Sequence, residues 1–142
     1  MRYLLDSNIL RYYTAGHPTL IRNLARVLAE QIGIPLVVVI EQLRGRFDAF
    51  LKAEPERLLL EQRRLLAAQQ LLSNYETIYV TERAITELVT LRQRMSTRKR
   101  YADAVIAAMA RAGDDIVVTR NVDDFSDLLS TSKIQNWIDR VY

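Results

Sequence analysis

Ile34-Pro35-Leu36-Val37-Val38-Val39-Ile40 is the stretch on which the fold turns. Its β-branched residues are stiff at χ1, and an unbroken apolar run of this length suits a strand buried on both faces. The run predicts a central strand over 34–40, followed by helical spacing from Glu41 to about Lys52. Outward from it, short apolar runs alternate with longer helical ones. Tyr3 to Leu5, Thr77 to Val80, Ile116 to Thr119 and Lys133 to Trp137 read as further strands, so the sheet has four to five. Helices are expected from Asn8 to Tyr13, Thr19 to Gln31, Pro55 to about Ser73, Glu82 to Met95 and Arg100 to Ala112. Gly113 is expected to close the last of these in the left-handed conformation. Strands alternating with helices predict an α/β domain around a parallel sheet.

The chain has 142 residues, 49% hydrophobic and 26% charged, which suits one domain over 1–142. Zero cysteines exclude a disulfide scaffold, thiolate zinc sites and a cysteine nucleophile, and the one histidine, His17, excludes a His-rich metal site. The chemistry left to the chain belongs to carboxylates, hydroxyls, amides and cations, the donor set of hard cations such as Mg²⁺ or Mn²⁺. Neither the P-loop nor the dinucleotide-binding glycine pattern occurs. A receiver-type phosphate acceptor would need an acidic pair after the first strand, where only Asp6 stands. The apolar run at the N-terminus is too short for a signal-peptide core, and no stretch has the roughly 18 consecutive apolar residues of a membrane span. A cytoplasmic protein without a membrane partner is expected.

The net charge of +3 is divided unevenly. Arg92, Arg94, Arg98, Lys99 and Arg100 form a basic run, and Asp114, Asp115, Asp123, Asp124 and Asp127 make the segment after it acidic. In open α/β sheets ligands gather beyond the carboxyl ends of the strands, so the residues just after each strand matter most. Asp6 follows the first, Glu41 follows the 34–40 run, and Asn121, Asp123 and Asp124 follow Ile116 to Thr119. Asp103 is the one charged residue in Tyr101 to Ala110, YADAVIAAMA, a helix apolar on nearly every side and therefore buried. Each acid has an ordinary explanation of its own: Asp6 or Ser7 as a helix cap, Glu41 as a first-turn acid, Asp103 in an ion pair, Asp123 and Asp124 as a solvated turn. Together they are costly, since two carboxylates about 5 Å apart repel by roughly 3 kcal/mol at an effective dielectric near 20. A divalent cation would turn that repulsion into ligation and equip the crevice for phosphodiester hydrolysis.

Four segments carry a resemblance to a known family. Leu5-Asp6-Ser7-Asn8-Ile9-Leu10, Glu41-Gln42-Leu43-Arg44-Gly45, Asp103-Ala104-Val105-Ile106-Ala107-Ala108 and Val118-Thr119-Arg120-Asn121-Val122-Asp123-Asp124-Phe125 occur in that order. In sequence and spacing the chain resembles the PIN-domain nucleases, most closely the VapC-type toxins of toxin–antitoxin pairs. The resemblance implies a PIN-like domain with strand order 3-2-1-4-5 and a divalent-metal-dependent endoribonuclease activity. It further implies Mg²⁺ or Mn²⁺ held by Asp6, Glu41, Asp103 and Asp124, with Asp123 outside the site. Ser7, Asn8, Thr119 and Asn121 would then hold the ligands and water by hydrogen bonds. Arg98, Lys99 and Arg100 would hold the RNA strand. A homodimer and a small VapB-like antitoxin that blocks the site also follow from the resemblance. Spacing alone does not distinguish RNA from DNA, and a catalytically inactive PIN-like binding or regulatory module is the other reading.

Overall fold

A computed structural model describes residues 1–94 and 100–142. Its sheet is centred on β1 (Tyr3–Leu5), flanked on one side by β2 (Ile32–Pro35) and β3 (Glu76–Ile78) and on the other by β4 (Ile116–Val118) and β5 (Ile134–Gln135). All neighbours are parallel and the order is β3-β2-β1-β4-β5, as the resemblance implies. The register sets Leu5 beside Val118 and Pro35 beside Ile78, with Leu4 beside Gly33, so four strands end at nearly one level. Strand order reverses about β1, which opens a crevice beyond the carboxyl ends of β1 and β4.

Helices α1 (Ser7–Thr14), α2 (Pro18–Leu24), α3 (Leu36–Leu51), α4 (Leu58–Ser73), α5 (Glu82–Arg94), α6 (Tyr101–Gly113) and α7 (Val122–Phe125) complete the described fold. Leu4, Leu5, Ile34, Val117 and Val118 are wholly buried from the sheet, and Ile9, Val38, Ala107 and Phe125 close over them from the helices. The alanines of α6 allow this helix to lie close to the sheet, and it contributes seven buried residues, Asp103 among them. Asn23, buried at the end of α2, donates to the Trp137 and Arg140 carbonyls at 3.2 and 2.7 Å and accepts from the Tyr142 amide at 2.8 Å. That amide fastens the last residues to the body of the fold.

The 34–40 run is not a strand. The ladder stops at Pro35, and Leu36 to Ile40 form the first turns of α3. β1 and β3, the partners of β2, are each three residues long. A seven-residue strand would leave its second half without hydrogen-bond partners, whereas a helix satisfies those groups internally. Pro35 also lacks the N–H that a strand paired on both sides needs. Against this, β-branching costs a helix only tenths of a kcal/mol per residue. Glu41 therefore lies in the second turn of a helix and not at a strand exit.

Two boundaries differ for smaller reasons. The helix expected from Thr19 to Gln31 stops at Leu24, and a single 3₁₀ turn spans Ala29–Gln31. The left-handed residue closing α6 is Asp114, with φ of 55°, while Gly113 belongs to the helix. Gly113 serves close approach instead: a Cβ there would lie 2.3 Å from Asp115 Oδ2. That carboxylate accepts the Arg2 backbone N–H at 2.7 Å and holds the start of β1 against β4. Close approach also explains Gly33, where a Cβ would lie 2.4 Å from Ile78 Cγ1. Gly33→Ala is expected to destabilise the fold by about 1–3 kcal/mol through overpacking, read as a lower urea midpoint. In the Gly33→Ala/Ile78→Ala double variant the two losses should sum to less than the separate costs.

Candidate active site

The crevice between β1 and β4 is organised by Asp6 and Thr119, the residues that follow those strands. Asp6 is only 6% exposed, and its amide donates to the Val118 carbonyl at 3.0 Å, which carries the sheet pairing into the site. Its Oδ1 accepts the Ser7 amide at 2.8 Å, so Asp6 does cap α1. Oδ2 faces the crevice network, accepting from Asn8 Nδ2 and Thr119 Oγ1, both at 2.9 Å. Thr119 is fully buried, and its hydroxyl also accepts from Asn8 Nδ2 at 3.2 Å and from the Asn121 amide at 3.0 Å. One hydroxyl thus ties β1, α1 and the loop after β4 together.

Glu41 reaches this point from α3. Ser7 Oγ donates to Glu41 Oε2 at 3.1 Å, and the Arg100 guanidinium approaches the same oxygen at 3.4 Å. Oε1 is buried and has no hydrogen-bond partner among the described residues. A carboxylate oxygen in that state retains lone pairs for a further electrophile. α6 presents Asp103, 4% exposed, with no hydrogen bond or ion pair to any described residue. Asp124 lies in the first turn of α7, anchored by the wholly buried Phe125, and Asp123 beside it is exposed.

Electrostatics link these acids. Burial pushes the Asp103 carboxyl up to about 6, opposed by Arg100 and reinforced by the negative charges of Asp6, Asp124 and Glu41. Asp6 is raised too, chiefly by burial; its bonds from Thr119 and Ser7 oppose the rise, Glu41 adds to it, and Arg100 counters it. The four acids therefore share one field, although among the described residues no three His, Cys, Asp or Glu side chains stand close enough to hold an ion without moving. Oxygen donors alone, an orphaned Glu41 oxygen and a buried Asp103 without a donor fit a hard divalent cation.

Ser7, Asn8 and Thr119 hold the carboxylates by the bonds just described. Asn121 contributes its backbone amide. Arg98 and Lys99 lie outside the described residues, and Arg100 sits on the rim beside Glu41. Two contacts had no signal in the sequence. Gln42 Nε2 reaches the Ser7 carbonyl at 3.4 Å, and the Arg120 amide donates to Asn8 Oδ1 at 3.1 Å, fixing the orientation of the Asn8 amide.

Comparison with known proteins agrees with this architecture. No curated protein matches the chain. Among solved structures, a DNA-bound VapBC from Salmonella typhimurium has a TM-score of 0.77 at 21% identity, with 96% of this chain and 98% of that one covered. FitAcB from Neisseria gonorrhoeae gives 0.75 at 19% identity over 97% and 99%. VapBC2 from Rickettsia felis, bound to a promoter DNA fragment, gives 0.67 at 24% identity over 96% and 98%. The family model for the PIN domain matches residues 3–128, nearly the whole sheet and every acid of the crevice, and the chain belongs to the PIN domain family.

Proposed function

We propose that the protein is a divalent-metal-dependent endoribonuclease, the toxin of a toxin–antitoxin pair. The observation that supports this reading is that Asp6, Glu41 and Asp124, from three separate segments, all act electrostatically on Asp103, which is buried and accepts no hydrogen bond from any described residue. A fold selected for stability alone would not bury such a carboxylate among other acids with only the charge of Arg100 to offset it. Asp6, Glu41, Asp103 and Asp124 would hold Mg²⁺ or Mn²⁺, directly or through water. When bound, the ion polarises a phosphoryl oxygen, makes water a stronger nucleophile and offsets charge on the leaving oxygen.

The chain's own part is orientation. Thr119 and Asn8 fix the face of Asp6 that looks into the crevice, and Ser7 fixes one oxygen of Glu41, leaving the other available. Arg98, Lys99 and Arg100 would hold substrate phosphates, and cleavage would then weaken steeply with added salt. Exposed Ile40, Phe47 and Leu51 on α3 and Leu59 and Leu66 on α4 give apolar surface for an antitoxin helix or a second subunit. No helix among the described residues is long and apolar enough to cross a membrane.

The test is cleavage of a mixed single-stranded RNA by the metal-free chain with and without Mg²⁺ or Mn²⁺, alongside a DNA strand of the same sequence. Internal cutting of RNA that starts with metal and stops with EDTA is expected. Cleavage surviving excess EDTA rejects the metal dependence, and preferential cutting of DNA rejects the ribonuclease assignment.

A further inference from the structure

Arg100 is the residue before α6, and its carbonyl accepts the Ala104 amide at 3.3 Å, so its backbone is fixed by the same helix that carries Asp103. Its side chain crosses to α3 and meets Glu41 Oε2 at 3.4 Å, an oxygen already receiving the Ser7 hydroxyl at 3.1 Å. The other Glu41 oxygen receives nothing from the described residues. Among the described residues the guanidinium thus makes one long contact with Glu41 instead of the two-pronged pairing it can form with a carboxylate. It is 62% exposed, and Glu41 is 31% exposed. Its charge nevertheless acts on both Asp6 and Asp103.

We propose that Arg100 is a built-in counter-ion of the acidic crevice, resting on Glu41 while no metal is bound and giving way when a divalent cation enters. The proposal rests on the metal reading above. One charge at the rim offsets part of the repulsion among four carboxylates, enough to permit the open crevice to form. The contact is long, single and solvated, so it can be surrendered. A dication among the carboxylates supplies twice the charge at shorter range, and it repels the guanidinium. Arg100 and the metal therefore compete for Glu41, and metal affinity is set lower than the carboxylates alone would give.

The experiment is calorimetric titration of the metal-free full chain with Mn²⁺ or Ca²⁺, without nucleic acid and at low salt. Wild type is compared with Arg100→Gln, which removes the charge, and Arg100→Lys, which keeps it. Arg100→Gln is expected to bind about three- to tenfold tighter, with Arg100→Lys near wild type. Equal or weaker binding by Arg100→Gln, with wild type binding normally, overturns the counter-ion role and leaves the metal reading intact. Absence of saturable binding in all three chains overturns both. A measurement on the wild type alone guards against a folding defect in the variant: the Arg100 side-chain N–H resonance should shift as Ca²⁺ saturates the site, and an unmoved resonance overturns the proposal.

Discussion

Asp103→Asn is expected to lower Mg²⁺-dependent RNA cleavage by about 10³-fold or more while the chain stays folded. The metal's contribution to charge stabilisation is several kcal/mol, and each 1.36 kcal/mol is tenfold in rate. Asparagine keeps the shape of the side chain inside α6 but offers the crevice no charge. Asp6→Asn should lose activity to a similar degree, and its amide would also face Asn8 and Thr119, which now donate to Oδ2. Asp123→Asn tests the boundary of the site: the residue is exposed, and near wild-type rates are expected. Rates should be measured at saturating Mn²⁺ as well as Mg²⁺, so that weakened ligation is separated from lost chemistry. Full activity in Asp103→Asn would reject the site.

What the sequence disclosed and what it concealed follow from the size of the energies involved. Asp6 was legible because it follows a short apolar run, and a parallel sheet sends the residues after its strands to one edge, whereas Thr119, read as the end of a strand, was singled out only through the family resemblance. Asp103 was legible because a charge in an otherwise apolar helix is costly wherever that helix packs. The 34–40 run misled because β-branching biases the backbone by tenths of a kcal/mol, whereas the length of β2 is set by its neighbours. β1 and β3 are far away in sequence and offer few ladder positions. Glu41 reached the crevice all the same, since the start of α3 lies beside the end of β2. Gly113 and Asp114 exchanged roles for a comparable reason: the position needing no Cβ was decided by the carboxylate of Asp115, and an Asp tolerates the left-handed region. The Arg100 to Glu41 pair joins the residue before α6 to the second turn of α3 and left no trace in spacing.

The second large effect runs against the usual behaviour of acidic groups. In the metal-free protein the Asp103 carboxyl is pushed up to about 6 from 3.8. Between about pH 4 and pH 6 the folded chain therefore retains a proton that the unfolded chain has released. Stability must fall as pH rises through that window and then level off above about 6. Asp6, raised as well, adds to the same slope. The whole interval corresponds to at most about 3 kcal/mol, but only about one pH unit of it lies above pH 5, about 1.4 kcal/mol. Solvent near the half-buried Glu41 and the exposed Arg100 side chains reduces the expected loss between pH 5 and pH 7.5 to about 1 kcal/mol. For a domain of this size that is roughly 2–5 °C in Tm between pH 5 and pH 7.5. Asp103→Asn removes the titrating group, so the metal-free variant should melt higher than wild type at pH 7.5 and show a flatter pH profile. Divalent cation should raise the wild-type Tm at pH 7.5 and scarcely move the variant, because binding stabilises only a site that can bind. The substitution that abolishes cleavage would thus strengthen the fold. Thermal melts at pH 5 and 7.5, with EDTA and with Mn²⁺, check every sign; a wild type more stable at pH 7.5 than at pH 5 in EDTA would show that Asp103 is not held among negative charges in a buried cleft.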